Sequence, residues 1–418
     1  MTRNKKIAIA GGMVLAIGII VFVFFYQFSA PQKTTETEKI TINLTTTETE
    51  LIPKLKEQGY IRSEWAFNFV LKRKRWQGKI EPGGYNVSKG MNAWELADTL
   101  VNHPYQKWVV IPEGLRKEEI AEMIQEKLGW TEDAKENFLN NAEEGYLFPD
   151  TYLLNLDYTG KDVAKRMKSQ FDEKAGQVLQ EFTEANIRHD TAITLASIIQ
   201  REAANEEEMP LIAGIIWNRL LKPMPLEIDA TIQYIVGEPG DWWPVVKPKD
   251  YKLDSPYNTY LHEGKTPAPI SNPGLAAMEA VVHDQPSDYF YYLHDEDRQI
   301  HLAKTYKEHQ ENIRQYLLAS INGVIKDIAL STRVITIEDR DGKEITLAIT
   351  DETMLFWNHG DIFRLELKDF HPGEEITAIG RWAGENSFIP ETIQKQAPGA
   401  SIEPPAEPEI ELLPKSQK

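Results

Sequence analysis

A long apolar run near the N-terminus constrains this chain more than any other feature of its sequence. Residues 7–26 carry no charged side chain. Three basic residues precede the run: Arg3, Lys5 and Lys6. About twenty helical residues at ~1.5 Å each span roughly 30 Å, which is the thickness of the hydrocarbon core of a bilayer. The run therefore predicts a transmembrane helix over residues 7–28, after a short N-terminal segment, residues 1–6.

The alternative interpretation of this run is a cleaved signal peptide. The apolar core of a signal peptide holds about 7–15 residues, fewer than this run, and a site with small residues follows it. Phe28-Ser29-Ala30 is a poor cleavage site because Phe28 is bulky. Basic residues before the span predict that the N-terminus is cytoplasmic. We therefore expect a single-pass protein of the cell membrane whose remaining residues lie outside the cytoplasm.

Composition and missing motifs exclude several classes of function. The net charge of -18 argues against a nucleic-acid partner, because phosphate binding needs a basic face. The chain has no cysteine, which excludes thiol nucleophiles and Cys-based zinc sites. G-x-S-x-G, H-E-x-x-H, Walker A and Rossmann glycine patterns are also missing. We predict no cofactor and no metal, and we favour carboxylate chemistry on a neutral, sugar-like polymer.

The rest of the chain predicts an α+β fold built from segments of different character. The Asp341-Gly342 turn between alternating apolar residues predicts a hairpin in the last of the folded segments. This segment could close into a barrel. The predicted boundaries are a linker at 29–39, a small α/β module at 40–108, a mixed α/β domain at 109–320, a small antiparallel β domain at 321–394 and a disordered tail at 395–418.

Local signals in the α/β module at 40–108 predict where its helices begin. Thr47 and Glu50 have the spacing of a capping box, and Asn92 could cap a helix that runs through Leu100. The basic cluster Lys72–Arg75 fits a solvated helix face. Contact with the membrane surface, next to the predicted anchor, is the alternative.

One carboxyl group in the predicted helix at 191–204 is a candidate for catalysis. The apolar stripe of this helix consists of Leu195, Ile198 and Ile199. The next position on the stripe, seven residues after Leu195, is Glu202. Loss of hydration on the apolar side raises the pKa of a carboxyl, and a general acid must hold its proton near neutral pH. Alternatively, a glutamate at a helix end pairs with a base such as Arg201 or faces solvent.

Other candidates lie in the Pro-rich stretch that follows. Glu227 and Asp229 are two residues apart in an extended segment, where one could enter a cleft or both could be turn residues. Glycosidases often use two carboxylates, roughly 5–5.5 Å apart for retention and roughly 6.5–9.5 Å apart for inversion. Four aromatic residues suit stacking against sugars or, equally, a hydrophobic lid or core. They are Trp242, Trp243, Tyr257 and Tyr260.

Four segments, taken in order, resemble the YceG-like family of endolytic murein transglycosylases. They are EGYLFPDTYLL (144–154), the stretch from LASIIQREAAN to IQYIVG (195–237), the stretch from SPYNTYLHEGK to ISNPGLAAMEAV (255–281) and KTYKEHQENI (304–313). The resemblance extends over roughly residues 80–315, behind the predicted anchor. Glu227 departs from the family pattern, which has glutamine at this position.

The resemblance implies a lytic transglycosylase, a carbon–oxygen lyase acting on polysaccharide. Such enzymes cleave the β-1,4 bond between N-acetylmuramic acid and N-acetylglucosamine, and the muramic 6-hydroxyl replaces water as nucleophile. This leaves a 1,6-anhydro end. The catalytic glutamate of the family falls on Glu202, which would serve as both acid and base. The resemblance also implies a LysM-like subdomain at 40–108 and action on nascent strands beside peptidoglycan synthases.

Five further residues are candidates for positioning or contacting the substrate: Asp229, Glu227, Asn218, Tyr257 and Asn258. Two alternative functions are a muramidase that uses water and a non-catalytic wall-binding scaffold that recruits synthases. A muramidase would leave reducing ends. A scaffold would bind glycan without cleaving it.

Overall fold

We describe the protein from a computed structural model, which describes residues 3–295, 297–358 and 362–395. The chain forms two compact units, Met1–Gln180 with Ser271–Leu275 and Glu181–Ile270 with Ala276–Lys418. Apart from Lys395, the predicted disordered tail lies outside the described residues. The mixture of helices and sheets confirms the predicted α+β class. The predicted domain boundaries stay predictions.

The N-terminal helix α1 runs from Arg3 to Tyr26. Its side chains are described from Gly11 onward, and those at 11–26 are exposed. Among the described residues, no helix is both long enough and apolar enough to cross a membrane. The predicted transmembrane segment at 7–28 therefore stays a prediction.

The first unit contains a four-stranded antiparallel sheet in the order β1-β2-β3-β4. Its strands are β1 (Glu38–Ile42), β2 (Gly83–Val87), β3 (Pro104–Val110) and β4 (Thr151–Asn155). The helices that follow α1 in the chain are α2 (Glu48–Glu57), α3 (Glu64–Lys74), α4 (Ala93–Asn102), α5 (Lys117–Leu128), α6 (Glu132–Leu139), α7 (Gly160–Lys174) and α8 (Gly176–Glu184). The apolar sides of α2, α3 and α4 form one core with β1 and β2, and those of α5 and α7 form a second core with β3 and β4.

Two of the segments that resemble the family meet at Asn272 in the first unit. Asn272 is fully buried, and its Oδ1 accepts hydrogen bonds from the backbone N–H groups of Gly145 and Leu147, each at 2.9 Å. Its Nδ2 donates to Glu144 Oε1 at 2.6 Å. Burial, followed by the nearby charge of Glu118, raises the pKa of Glu144 to about 8. The ISNPG segment is thereby fixed to the EGYLFPD segment.

The helices and the short hairpin of the second unit carry the candidate site. They are α9 (His189–Glu202), α10 (Met209–Leu221), α11 (Asp229–Val236), β5 (Tyr291–His294), β6 (Ile300–Ala303) and α13 (Tyr306–Tyr316). The helix α12 (Leu275–Val282) belongs to the second unit from Ala276 onward. Residues 192–199 of α9 are all buried. Ser197 Oγ accepts the Ile270 N–H at 3.0 Å, which fixes α9 from the side. The C-terminal end of α9 is held in place by this packing.

A seven-stranded sheet forms the C-terminal part of the second unit. Its strands are β7 (Ala319–Ala329), β8 (Val334–Glu338), β9 (Glu344–Ala348), β10 (Met354–Asn358), β11 (Ile362–Arg364), β12 (Glu375–Trp382) and β13 (Ser387–Lys395). Their order is β11-β10-β13-β12-β7-β8-β9, and an additional β13–β9 pairing closes the sheet. The predicted hairpin at Asp341-Gly342 is confirmed, and it joins β8 to β9.

The prediction of a small antiparallel β domain is wrong in one respect. Strand β13 pairs parallel to both β10 and β9, while its pairing with β12 is antiparallel. Two strands joined by a hairpin are always antiparallel. Strand β13 is separated from β9 and β10 by other strands along the chain, so no hairpin sets the direction of these pairings. A local turn pattern predicts the first kind of pairing and carries no information about the second.

Candidate active site

Glu202 is the last residue of α9, and the buried side of that helix leads to it. The predicted apolar stripe is confirmed, because Leu195, Ile198 and Ile199 are all buried. Ala203 has extended backbone angles, so the chain leaves the helix immediately after Glu202. The side chain of Glu202 is half-buried. The position therefore combines a packed apolar helix with a carboxyl group at the point where the helix ends.

Two donors hold the carboxyl group of Glu202. The Tyr292 hydroxyl donates to Glu202 Oε2 at 2.6 Å, and the Ala230 backbone N–H also donates to the carboxyl. Burial is the largest influence on the pKa of Glu202 and raises it above the usual range. The nearby charge of Asp229 raises it further, while the two hydrogen bonds and His294 lower it. Burial outweighs the donors, so the carboxyl tends to keep its proton.

Asp229 lies beside this carboxyl at the first residue of α11 and accepts bonds from two tyrosines. Tyr260 Oη donates to Asp229 Oδ1 at 2.6 Å, and Tyr251 Oη donates to the same oxygen at 3.2 Å. Burial and the charge of Asp229 raise the pKa of Tyr251 to about 12 and that of Tyr260 higher still. Both phenols therefore remain donors across the physiological pH range.

A strained turn before α11 sets the position of Asp229. Glu227 has a φ of +52°, which an L side chain rarely adopts. Its backbone N–H donates to the Thr259 carbonyl at 3.1 Å, and its carboxylate pairs with Arg219 Nη1 at 3.1 Å. Arg219 Nη1 also donates to the Leu226 carbonyl at 2.6 Å. Glu227, a candidate substrate contact, is thus engaged by a buried arginine that holds the turn.

Asn258, another candidate substrate contact, is fully buried and organises the loop that carries the two tyrosines. Its Nδ2 donates to the carbonyls of Tyr251 at 3.0 Å and Leu253 at 2.9 Å. Its Oδ1 accepts the Tyr260 N–H at 3.0 Å. Both polar atoms of the Asn258 side chain therefore form hydrogen bonds with the backbone. Asn258 positions Tyr251 and Tyr260, which in turn bond Asp229.

We expect Asn258→Ala to lower the free energy of unfolding by about 3 kcal/mol, because it leaves buried backbone groups without partners. Urea unfolding of the purified protein measures the loss. The matched control is Asn141→Ala, which removes an exposed amide that donates to the nearby Asn137 carbonyl. This control should change the free energy by less than about 0.5 kcal/mol. Equal effects of the two variants would contradict the role assigned to Asn258.

Asn218 and Tyr257 complete the set of candidate substrate contacts. Asn218 Nδ2 donates to the carbonyls of Ser287 at 2.8 Å and Tyr289 at 2.9 Å, just before the strand that carries Tyr292. Asn218 therefore fixes the backbone that leads into β5. Tyr257 packs its ring against that of Tyr234, with 5.0 Å between the centroids. It is half-buried on the same loop as Asn258.

A histidine–carboxylate pair lies next to Tyr292. His294 Nε2 is 2.9 Å from Glu208 Oε2, and Glu208 also accepts the Ala204 N–H at 3.2 Å. His294 is two residues from Tyr292 in β5, and their rings are 6.1 Å apart. The pair therefore ties the segment after Glu202 to the strand that bears its hydrogen-bond donor.

Two contributors to the site, Tyr292 and Tyr251, carried no signal in the sequence. Tyr292 is 90 residues from Glu202, and Tyr251 is 22 residues from Asp229. Tyr260 was a candidate for sugar stacking, which stays a prediction, and its hydroxyl donates to Asp229. Trp243, another aromatic candidate, lies against the Arg201 guanidinium at 3.7 Å from the ring centroid. Only the folded chain brings these residues together.

The arrangement suits proton transfer by a single carboxyl. Glu202 can give up a proton, and the Tyr292 hydroxyl and Ala230 N–H then stabilise the carboxylate that remains. Within the described part of the chain, no group of three or more His, Asp or Glu side chains is placed to hold a metal ion.

Comparisons with known proteins place these residues in a family. The sequence pattern of the YceG-like family matches residues 40–315. An endolytic murein transglycosylase of Bacillus subtilis is 30% identical over 72% of this chain and 91% of its own length. An endolytic murein transglycosylase of Streptococcus pneumoniae is 25% identical over 65% of this chain and 57% of its own length. A solved YceG-like protein of Listeria monocytogenes is 26% identical, covers 66% of this chain and 99% of its own, and has a TM-score of 0.48.

Proposed function

This chain belongs to the YceG-like family, and on that premise we propose that it is an endolytic murein transglycosylase that cleaves the glycan strands of peptidoglycan. The observation that carries the proposal is the carboxyl of Glu202, which accepts the Tyr292 hydroxyl at 2.6 Å and whose pKa burial raises above the usual range. The bond cleaved is the β-1,4 linkage from N-acetylmuramic acid to N-acetylglucosamine.

In the first half of the reaction, Glu202 acts as a general acid. It transfers its proton to the glycosidic oxygen as the bond from that oxygen to the muramic C1 breaks, and the N-acetylglucosamine portion leaves as an alcohol. The Tyr292 hydroxyl at 2.6 Å and the Ala230 N–H stabilise the carboxylate that this transfer creates. Burial raises the proton affinity of Glu202 before the transfer. After the transfer, the two donors make the buried negative charge less unfavourable.

In the second half, the same carboxylate acts as a general base. It takes the proton of the muramic 6-hydroxyl while that oxygen bonds to C1 of the same sugar. The product is a 1,6-anhydromuramic end, and Glu202 regains its proton. No water is consumed, so one carboxyl suffices where most glycosidases use two.

Asp229 acts on the charge that develops at C1. Glycoside cleavage passes through an oxocarbenium-like transition state, which a nearby fixed negative charge stabilises. Tyr260 and Tyr251 hold the Asp229 carboxylate by hydrogen bonds. We assign Asp229 to electrostatic stabilisation, and Asn258 and Asn218 to positioning the loop and strand around it.

The same proposal places the enzyme on the outer face of the cell membrane. The apolar run at 7–28 would anchor it, and the basic residues before the run would keep the N-terminus in the cytoplasm. A position beside the membrane would give access to nascent strands and to the synthases that make them.

The end group of the product tests the proposed reaction. We expect purified glycan strands, digested with the full-length protein, to yield new 1,6-anhydro ends in mass spectrometry. A water-using muramidase would yield reducing ends, and a wall-binding scaffold would leave the strands uncut. Either of these outcomes would refute the proposal.

A further inference from the structure

Aromatic side chains form a surface cluster where α1 meets the first unit. The cluster consists of Phe24, Phe28, Trp65, Phe69 and Trp94. Trp65 is 54% exposed and Phe69 is 40% exposed, although both rings pack against Phe28. Their own rings are stacked, with 5.8 Å between the centroids. Two large aromatic side chains therefore face outward beside the end of the apolar helix.

The end of α1 is fixed to the cluster. Phe28 is only 7% exposed and belongs to the core of α2, α3 and α4. Its carbonyl accepts the Ala93 N–H at 2.9 Å. Arg62 Nη2 donates to the carbonyls of Ala30 at 2.8 Å and Pro31 at 2.9 Å, and its guanidinium lies 4.2 Å from the Tyr26 ring centroid. These contacts fix the end of α1 next to the aromatic cluster.

Basic side chains continue the same face of α3. Residues 65, 69, 72 and 73 lie on one side of a helix, because positions three and four apart are neighbours. Lys72 and Arg73 are both exposed. An aromatic stretch followed within about two turns by two cations on the same side of the helix is an interfacial pattern, with rings for the boundary layer and charges for anionic headgroups.

We propose that Phe24, Trp65 and Phe69 lie in the interfacial layer of a bilayer and that Lys72 and Arg73 contact anionic lipid headgroups. The face is continuous with α1, whose side chains at 11–26 are all exposed, so the partner that covers the helix also covers the rings. The proposal rests on the proposed anchor. It adds that the first unit is seated on the membrane by α3 rather than held away from it.

A single fluorescent label tests whether this face of α3 contacts the bilayer. The chain has no cysteine, so Asn68→Cys in the full-length protein places one fluorophore beside Trp65 and Phe69 without removing either ring. We expect doxyl lipids in phosphatidylcholine–phosphatidylglycerol vesicles to quench this label several-fold more than a label at the control, Glu126→Cys, on the exposed side of α5. Adding Trp65→Gln and Phe69→Gln should reduce quenching at position 68 to the control level.

Flotation of the vesicles separates the two ways in which the proposal can fail. Protein that floats with the vesicles but is quenched equally at positions 68 and 126 would overturn the seat and leave the anchor intact. Protein that does not float would overturn the anchor and the seat together. Neither result bears on cleavage of purified strands, which tests the enzymatic proposal separately.

Discussion

Glu202→Gln is expected to lower the rate of strand cleavage by at least about 10³-fold. Glutamine keeps the shape of the side chain and can still accept the Tyr292 hydrogen bond, but it has no proton to transfer. General acid and base catalysis each contribute roughly 10²–10⁴-fold, and Glu202 supplies both. Initial rates on purified strands, followed by chromatography of the released muropeptides, measure the loss.

A neighbouring carboxyl provides the control for this variant. Glu207 lies five residues after Glu202 and is exposed, so Glu207→Gln makes the same substitution outside the proposed proton path. It should retain activity within about twofold. Wild-type activity in Glu202→Gln would refute the assignment, and a large loss in Glu207→Gln would show that the charge of this region matters more than the proton.

Tyr292→Phe is the second variant with a large expected effect, a loss of roughly 10- to 100-fold in kcat/KM. A hydrogen bond to a charged group is worth about 1.5–3 kcal/mol, and about 1.4 kcal/mol corresponds to a factor of ten in rate. The ring stays in place, so the variant removes only the donor at 2.6 Å from Glu202 Oε2. Tyr306→Phe, which removes the hydroxyl of a 41% exposed tyrosine, should behave as wild type.

The pH profile distinguishes this role from a loss of packing. Tyr292 stabilises the ionised form of Glu202, so removing its hydroxyl raises the pKa of that carboxyl. Because kcat/KM requires protonated Glu202, its alkaline limb should move to higher pH in Tyr292→Phe. A lower rate with an unmoved limb would mean that Tyr292 only supports the fold.

Local sequence signals predicted the parts of the fold that depend on local interactions. The capping-box spacing of Thr47 and Glu50 marks the start of α2 at Glu48, and Glu50 Oε2 accepts the Thr47 N–H at 3.1 Å. Asn92 likewise caps α4, which begins at Ala93. The parallel pairings of β13 could not be predicted in this way, because its partners are set by the closure of the whole sheet.

In the candidate site, too, local patterns predicted some features and only the fold reveals the others. Helical periodicity was enough to place Glu202 on the buried side of α9, and the family resemblance assigned it a role. Amides such as Asn258 and Asn218 suit a substrate or a backbone equally well by residue type. Only the folded chain reveals that their hydrogens are already donated to carbonyls. Tyr292 had no local signal at all, since it approaches Glu202 through a distant hairpin.

Cleavage in oxygen-18 water tests most directly whether a sugar hydroxyl, activated by Glu202, replaces water. Purified strands are digested with wild type and with Glu202→Gln, and the new ends are examined by mass spectrometry. We predict 1,6-anhydro ends without oxygen-18 from wild type, and almost no new ends from Glu202→Gln in the same time. Reducing ends that carry oxygen-18 would show that water is the nucleophile. Anhydro ends formed by Glu202→Gln at the wild-type rate would show that Glu202 does not activate the sugar hydroxyl.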